Sequence, residues 1–122
     1  MISTSALCLA LAIYWEARSE PDIGQIAVAH VILNRVASSK YPSTICDVVY
    51  QHKQFSFFHD GKSDKPLEEG AWARAKAFAR IAMVMPDTTK GSTHYHAEYV
   101  KPFWTAGVSP LVIFGKHLFY RL

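Results

Sequence analysis

Glu16 ends an unbroken apolar run, residues 6–15, in a chain of 122 residues. At helical spacing its neighbours one turn back are Ala12 and Ile13, with Leu9 two turns back. A carboxyl there is disfavoured as an anion for two reasons. Apolar surroundings remove the hydration of the charged form, and the last turn of a helix presents the negative end of the helix dipole. A carboxyl kept partly protonated near neutral pH is what a general acid needs. The competing reading is structural: Glu16 pairs with a cation at the helix end, Arg18 or Arg35, because ion pairs also perturb carboxyls. Glu20 is the next carboxylate along. An i,i+4 offset would set it roughly 5–6 Å from Glu16 if the helix continued. Pro21 pushes the residue before it out of helical geometry, which favours Glu20 as an acid at the start of a following helix.

The histidines number six: His30, His52, His59, His94, His96 and His117. His94 and His96 flank Tyr95 on an expected strand, which points both imidazoles to one face. A catalytic zinc usually takes three protein ligands, and His59, Asp60 or His117 would have to supply the third. No His-Glu-x-x-His or Cys-x-x-Cys spacing supports a metal, so histidines that hydrogen-bond or contact substrate fit better. His30, between Ala29 and Val31, reads as a satisfied, partly buried histidine. A second group is aromatic: Trp15, Phe55, Phe57, Phe58, Tyr95, Tyr99, Phe103 and Trp104. Flat rings with polar handles suit sugar faces as well as protein cores, and Gln54, Ser56, Asp60 and His94 offer polar groups nearby in sequence. Neither a Gly-rich phosphate loop nor a nucleophile elbow is present, and no cofactor is expected.

These residues need elements to position them. Residues 4–18 read as a first helix with Ser3 or Thr4 as its N-cap, apolar on every side and therefore running through the core. Pro21 suits the first position of a second helix that runs to about residue 37. Its face of Ile23, Ile26, Ala27, His30, Val31 and Asn34 starts apolar and turns polar. Ser43 caps a short helix over residues 44–50. Residues 51–65 lose periodicity and read as a long functional loop or a small hairpin. Pro66 opens a third long helix ending at Met85, before Pro86, with an apolar stripe of Ala71, Trp72, Ala75, Phe78, Ala79, Ala82 and Met85. Residues 93–100 and 112–120 are rich in aromatic and β-branched types and read as strands, punctuated by Gly107, Pro110 and Gly115. The class is α+β: helices first, then a small antiparallel sheet.

Composition bounds the rest. Half the residues are hydrophobic and 19% are charged, which excludes a disordered chain. The length suits one domain, residues 1–122. Thirteen Lys and Arg against ten Asp and Glu leave +3, too sparse a basic surface for nucleic acid. The apolar run is too short to span a bilayer, so no stable membrane insertion is expected. It also lacks the preceding cation and following cleavage site of a signal peptide. Cys8 and Cys46 both lie in apolar stretches and read most simply as buried free thiols, with a single bridge left open.

Several segments together carry a resemblance. Residues 16–21 (Glu-Ala-Arg-Ser-Glu-Pro), 24–29 (Gly-Gln-Ile-Ala-Val-Ala) and 32–36 (Ile-Leu-Asn-Arg-Val) are similar to the SleB/CwlJ family of cell-wall hydrolases. So are Tyr41-Pro42, residues 54–57 with Asp60-Gly61, residues 93–96 (Thr-His-Tyr-His), Pro102 with Trp104, and residues 115–121. The segments fall in the family's order over nearly the whole chain; Ser19 stands where the family usually has Gly. The resemblance implies a lysozyme-like, transglycosylase-like fold and cleavage of the peptidoglycan backbone between N-acetylmuramic acid and N-acetylglucosamine. It places the catalytic glutamate at Glu16. A one-carboxylate lytic transglycosylase fits best, with Gln54, Phe55, Ser56, His94, Tyr95, His96, Tyr99 and Trp104 as candidate substrate contacts. A monomer acting on bacterial peptidoglycan in the periplasm or wall is expected, made in the cytoplasm without a cleavable leader. A bare domain of this length looks like a phage endolysin or a phage-derived lysin. The alternatives are a zinc peptidase or amidase working through His94 and His96, and a non-catalytic wall-binding module.

Overall fold

The computed structural model describes residues 2–51, 66 and 68–122. The expected loop at residues 51–65, with Gln54, Phe55 and Ser56, therefore lies outside the described residues apart from Gln51. The described residues form α1 (Thr4–Ala17), α2 (Asp22–Val36), α3 (Ile45–Gln51), α4 (Glu69–Val84), β1 (His94–Ala97), β2 (Val112–Phe114) and β3 (His117–Tyr120). A 3-10 turn, Phe103–Thr105, lies between β1 and β2. Helices precede a small antiparallel sheet, as the sequence indicates.

α1 is the central helix. Ser3 caps it, its hydroxyl accepting from the Ala6 N–H at 3.1 Å. Because α1 is apolar all round, it needs partners on several sides, and it packs against α2, α3 and α4. Leu9, Ala12 and Ile13 are fully buried. α4 presents Ala71, Ala75, Ala79 and Ala82 to this core; these small side chains let the two helices approach closely. Trp72, Phe78 and Met85, expected in the same stripe, pack at its margin and are only partly buried.

Cys8 and Cys46 are bonded to each other as a disulfide across a sequence separation of 38. The expectation of free thiols is thus corrected. Burial types alone could not reveal the pairing, because it depends on α3 folding back along α1. The cap of α3 also differs from expectation. Thr44, not Ser43, accepts from the Asp47 N–H, at 3.1 Å. Pro21 occupies the N-cap position of α2 and not its first turn.

The polar half of α2 docks the segment that leads into the sheet. The neutral His30 ring accepts the Thr88 N–H at Nδ1 (3.0 Å) and donates from Nε2 to the Ala82 carbonyl (3.1 Å). Asn34 Nδ2 donates to the Ser92 carbonyl at 2.9 Å, and Arg35 Nε donates to the Thr93 carbonyl at 2.6 Å. Asp87 folds the same segment on itself, accepting from the Thr89 and Gly91 amides at 2.8 and 2.6 Å. β1 begins at the next residue, so α2 fixes where the sheet starts.

The sheet has strand order β1-β3-β2. The strand expected over residues 112–120, punctuated at Gly115, is a hairpin, with Phe114 facing His117 across a turn at Gly115 and Lys116. Gly115 has φ +56°, and a Cβ there would lie 2.7 Å from both Glu20 Oε1 and Pro21 Cδ. Only glycine fits that close approach without strain. β1 pairs with β3 in the register His94 to Tyr120 and His96 to Leu118. A second apolar cluster, Val28, Val31, Tyr95 and Phe119 among its members, joins the sheet to α2.

Removing the disulfide with Cys8→Ala and Cys46→Ala should lower stability by about 2–4 kcal/mol, because the unfolded chain regains loop freedom. Chemical denaturation of the double variant against the oxidised protein checks this, and an unchanged midpoint would contradict it.

Candidate active site

Glu16 sits in the last turn of α1, where the helix emerges against the end of β1. It lines a pocket of about 340 Å³. The other walls come from β1 and the residues after it (Tyr95, His96, Ala97, Tyr99 and Val100), from Pro102 and Trp104 at the 3-10 turn, and from His117 of β3. A carboxyl at the closed end of an apolar helix thus faces a wall that is mostly aromatic.

The carboxyl is held in the protonated range. Burial raises the Glu16 pKa from its ordinary 4.5 to about 7. The two cations that might have paired with it are engaged elsewhere. Arg18 Nε lies 3.3 Å from Glu68, and its guanidinium covers the Tyr14 ring at 4.8 Å. Arg35 reaches the Thr93 carbonyl from a buried position. The structural reading of Glu16 as half of an ion pair at its helix end is therefore not realised with either partner. A carboxyl with this ionisation can donate a proton near neutral pH and act as a base afterwards.

Tyr95 stands close by. Its side chain is buried, and its hydroxyl has no hydrogen-bond partner among the described residues. Burial and the nearby Glu16 carboxyl both push its pKa well above the ordinary range, so it stays a neutral donor. His94 and His96 do point to one face, where both meet Trp104 at ring distances of 5.1 and 5.7 Å. His96 uses both ring nitrogens: Nδ1 donates to the Ala97 carbonyl at 2.8 Å and Nε2 accepts from Tyr120 Oη at 2.9 Å. His94 Nδ1 pairs with Thr93 Oγ1 at 2.9 Å. The pair is arranged to brace Trp104. Among the described residues no three His, Cys, Asp or Glu side chains converge as a metal site.

Of the residues singled out from sequence, Glu16, Tyr95, His96, Tyr99 and Trp104 share the pocket. His94 supports it from behind Trp104. His117, which sequence reasoning weighed only as a metal ligand, also lines the pocket. The signal for its inward orientation lay in the strand period, since His117 shares a face with the buried Phe119. Glu20 is not on a continued helix with Glu16. Its Oε1 accepts the Lys116 N–H at 2.8 Å and lies 3.7 Å from His117 Nδ1.

Known proteins bear on this geometry. A model of the cell wall hydrolase family matches residues 19–120, beginning just after Glu16. The chain is 46% identical to a spore cortex-lytic enzyme of Bacillus cereus over 113 residues, which is 93% of this chain and 42% of that protein. It is 31% identical to the spore cortex-lytic enzyme of Bacillus subtilis, covering 91% of this chain and 35% of that one. The chain thus spans well under half the length of these relatives. Among solved structures, the catalytic domain of the Bacillus cereus SleB protein superposes with a TM-score of 0.79 at 32% identity, covering 98% of this chain and 91% of that one. The catalytic domain of the germination-specific lytic transglycosylase SleB from Bacillus anthracis gives 0.80, also at 32% identity, covering 97% of this chain and 95% of that one.

The raised Glu16 pKa has a consequence for stability. Between 4.5 and about 7 the folded chain binds more protons at Glu16 than the unfolded chain does, so stability falls as pH rises through that window. Above it the ionised carboxyl costs about 3 kcal/mol. Glu16→Gln should therefore raise the melting temperature at pH 8 and leave it nearly unchanged at pH 4. Thermal denaturation of both proteins at the two pH values checks this, and equal melting temperatures at pH 8 would contradict it.

Proposed function

Because the chain belongs to the cell wall hydrolase family, we propose that it cleaves the glycan backbone of bacterial peptidoglycan as a lytic transglycosylase, with Glu16 as general acid and base. The observation that carries this reading is the carboxyl at the end of α1, without a cationic partner among the described residues and with its pKa near 7, set against an aromatic wall. Protonated Glu16 gives its proton to the oxygen between N-acetylmuramic acid and N-acetylglucosamine as that bond breaks. The carboxylate left behind takes the proton of the muramic C6 hydroxyl, which closes on C1 to give a 1,6-anhydro end. A single carboxyl serves both steps because its pKa lies close to the working pH.

The walls suit a sugar polymer. Trp104, braced by His94 and His96, and the exposed Tyr99 offer ring faces for sugar C–H surfaces. The Tyr95 hydroxyl, buried beside the pocket without a partner among the described residues, is a neutral donor that we place toward the substrate side of Glu16. Gln54, Phe55 and Ser56 complete the proposed contacts. We read residues 1–122 as a single catalytic domain that works as a monomer. The disulfide suits action outside the reducing cytoplasm, at the wall. No helix among the described residues is long and apolar enough to cross a membrane.

Glu16→Gln keeps the shape and removes the proton donor. It should reduce the release of soluble fragments from purified peptidoglycan by at least about 100-fold, while sedimentation with the polymer persists. In the unsubstituted protein, kcat/KM should fall above pH about 7 as Glu16 ionises. Mass analysis of the fragments identifies the reaction, because anhydro ends are lighter than reducing ends by one water. Near-normal release by Glu16→Gln, or cut peptide stems with intact glycan, would defeat the reading.

A further inference from the structure

The pocket holds a second proton-handling arrangement that the single-carboxyl scheme leaves unused. His117 lines the same pocket as Glu16, and its side chain is only 10% exposed. Its Nδ1 is buried, makes no hydrogen bond among the described residues, and faces Glu20 Oε1 at 3.7 Å. Glu20 is itself held in place. Its side chain is 9% exposed, and its Oε1 accepts the Lys116 N–H at 2.8 Å. Gly115 fits tightly against Glu20 and Pro21, which sets the turn carrying Lys116 and His117 beside the Glu20 carboxylate. A carboxylate beside Nδ1 favours the tautomer with its proton on that nitrogen. That leaves Nε2 with a free lone pair.

We propose that Glu20 and His117 form a carboxylate–imidazole pair that activates water in the Glu16 pocket, so that the chain also hydrolyses glycan beside the intramolecular transfer. The inference rests on the reading of the chain as a glycan-cleaving enzyme. In this second outcome Glu16 protonates the bridging oxygen as the C1–O bond breaks. Water bonds to C1 and gives its proton to His117 Nε2, while Glu20 stabilises the imidazolium. The extra proton on His117 then returns through solvent to the Glu16 carboxylate, and the product carries a reducing end. Glu20 is a positioning residue in this scheme; His117 touches the reacting water.

The groups facing His117 define its titration. Glu20 approaches from the link between α1 and α2, Tyr95 and His96 from β1, and Glu16 shares the pocket; Phe119 is apolar. Burial lowers the His117 pKa, Glu20 opposes this, and His96 adds to the lowering. His117 is therefore neutral, and basic, at neutral pH.

The test digests purified peptidoglycan with the full chain and measures the ratio of reducing to anhydro ends by mass spectrometry across pH 4–8. The unsubstituted chain should give both ends, with the reducing share rising as pH increases through the His117 titration. His117→Gln should lower that share at least tenfold while anhydro ends persist. Glu20→Gln retains an oxygen for the Lys116 N–H but removes the charge, so the rise should be smaller and move to lower pH. This second variant keeps the test decisive if His117→Gln is poorly folded. Exclusively anhydro ends at every pH, or a ratio unmoved by both substitutions, would overturn the pair's role while leaving Glu16 cleavage intact. Release of no glycan fragments by the unsubstituted chain would overturn the underlying reading and the proposal with it.

Discussion

A carboxyl stays protonated near neutral pH only where the protein withholds water and supplies no cation. The fold is arranged around meeting that condition at Glu16. α1 has no polar face, so it must be enclosed on several sides, and the carboxyl arrives at the one end where the enclosure opens into a pocket. The alanine stripe of α4 brings that helix close, while the disulfide ties the other end of α1 to α3. The cation next along the chain, Arg18, is drawn off by Glu68 and the ring of Tyr14. Leaving an ionisable group buried and unpaired weakens the folded state. Such a cost is characteristic of functional positions, where local rules are broken to gain reactivity.

The second requirement is a wall opposite the carboxyl, and α2 supplies its foundation. His30, Asn34 and Arg35 project from that helix at the spacing of one face. Each bonds the connection between α4 and the sheet. The sheet's three short strands would be marginal alone. Anchored through Thr93 and packed on Val28 and Val31, they hold Tyr95 and His117 at fixed places around the pocket. His30, Asn34 and Arg35 are thus part of the site's support, each bonded to the backbone near the point where the chain changes from helix to strand.

Much of this was legible from local pattern. The apolar run, the cap at Ser3, the polar turn in the α2 face and the alternation of His94, Tyr95 and His96 all depend on residues within one helical turn or two strand positions. The same is true of the isolated carboxyl, because its nearest apolar neighbours lie in its own helix. The resemblance to cell-wall hydrolases was carried by segments in the same elements, and the family match and the SleB catalytic domains agree with it.

Other features depend on parts of the chain far apart in sequence. Cys8 and Cys46 looked like two separate buried thiols, because only the return of α3 along α1 brings them together. Gly115 marked a break within residues 112–120, but only the pairing of Phe114 with His117 makes that break a tight hairpin turn, closed against Glu20 and Pro21. Glu20 looked like an acid at the start of the next helix; its contacts with Lys116 and His117 span 96 residues and more of chain. The sequence by itself determined the helices, the class of fold and the carboxyl whose own helix makes it reluctant to ionise, since those follow from short-range periodicity. Only the tertiary structure decided which cations leave Glu16 alone and which imidazole and tyrosine face it, because burial and pairing are properties of the closed chain and not of any segment.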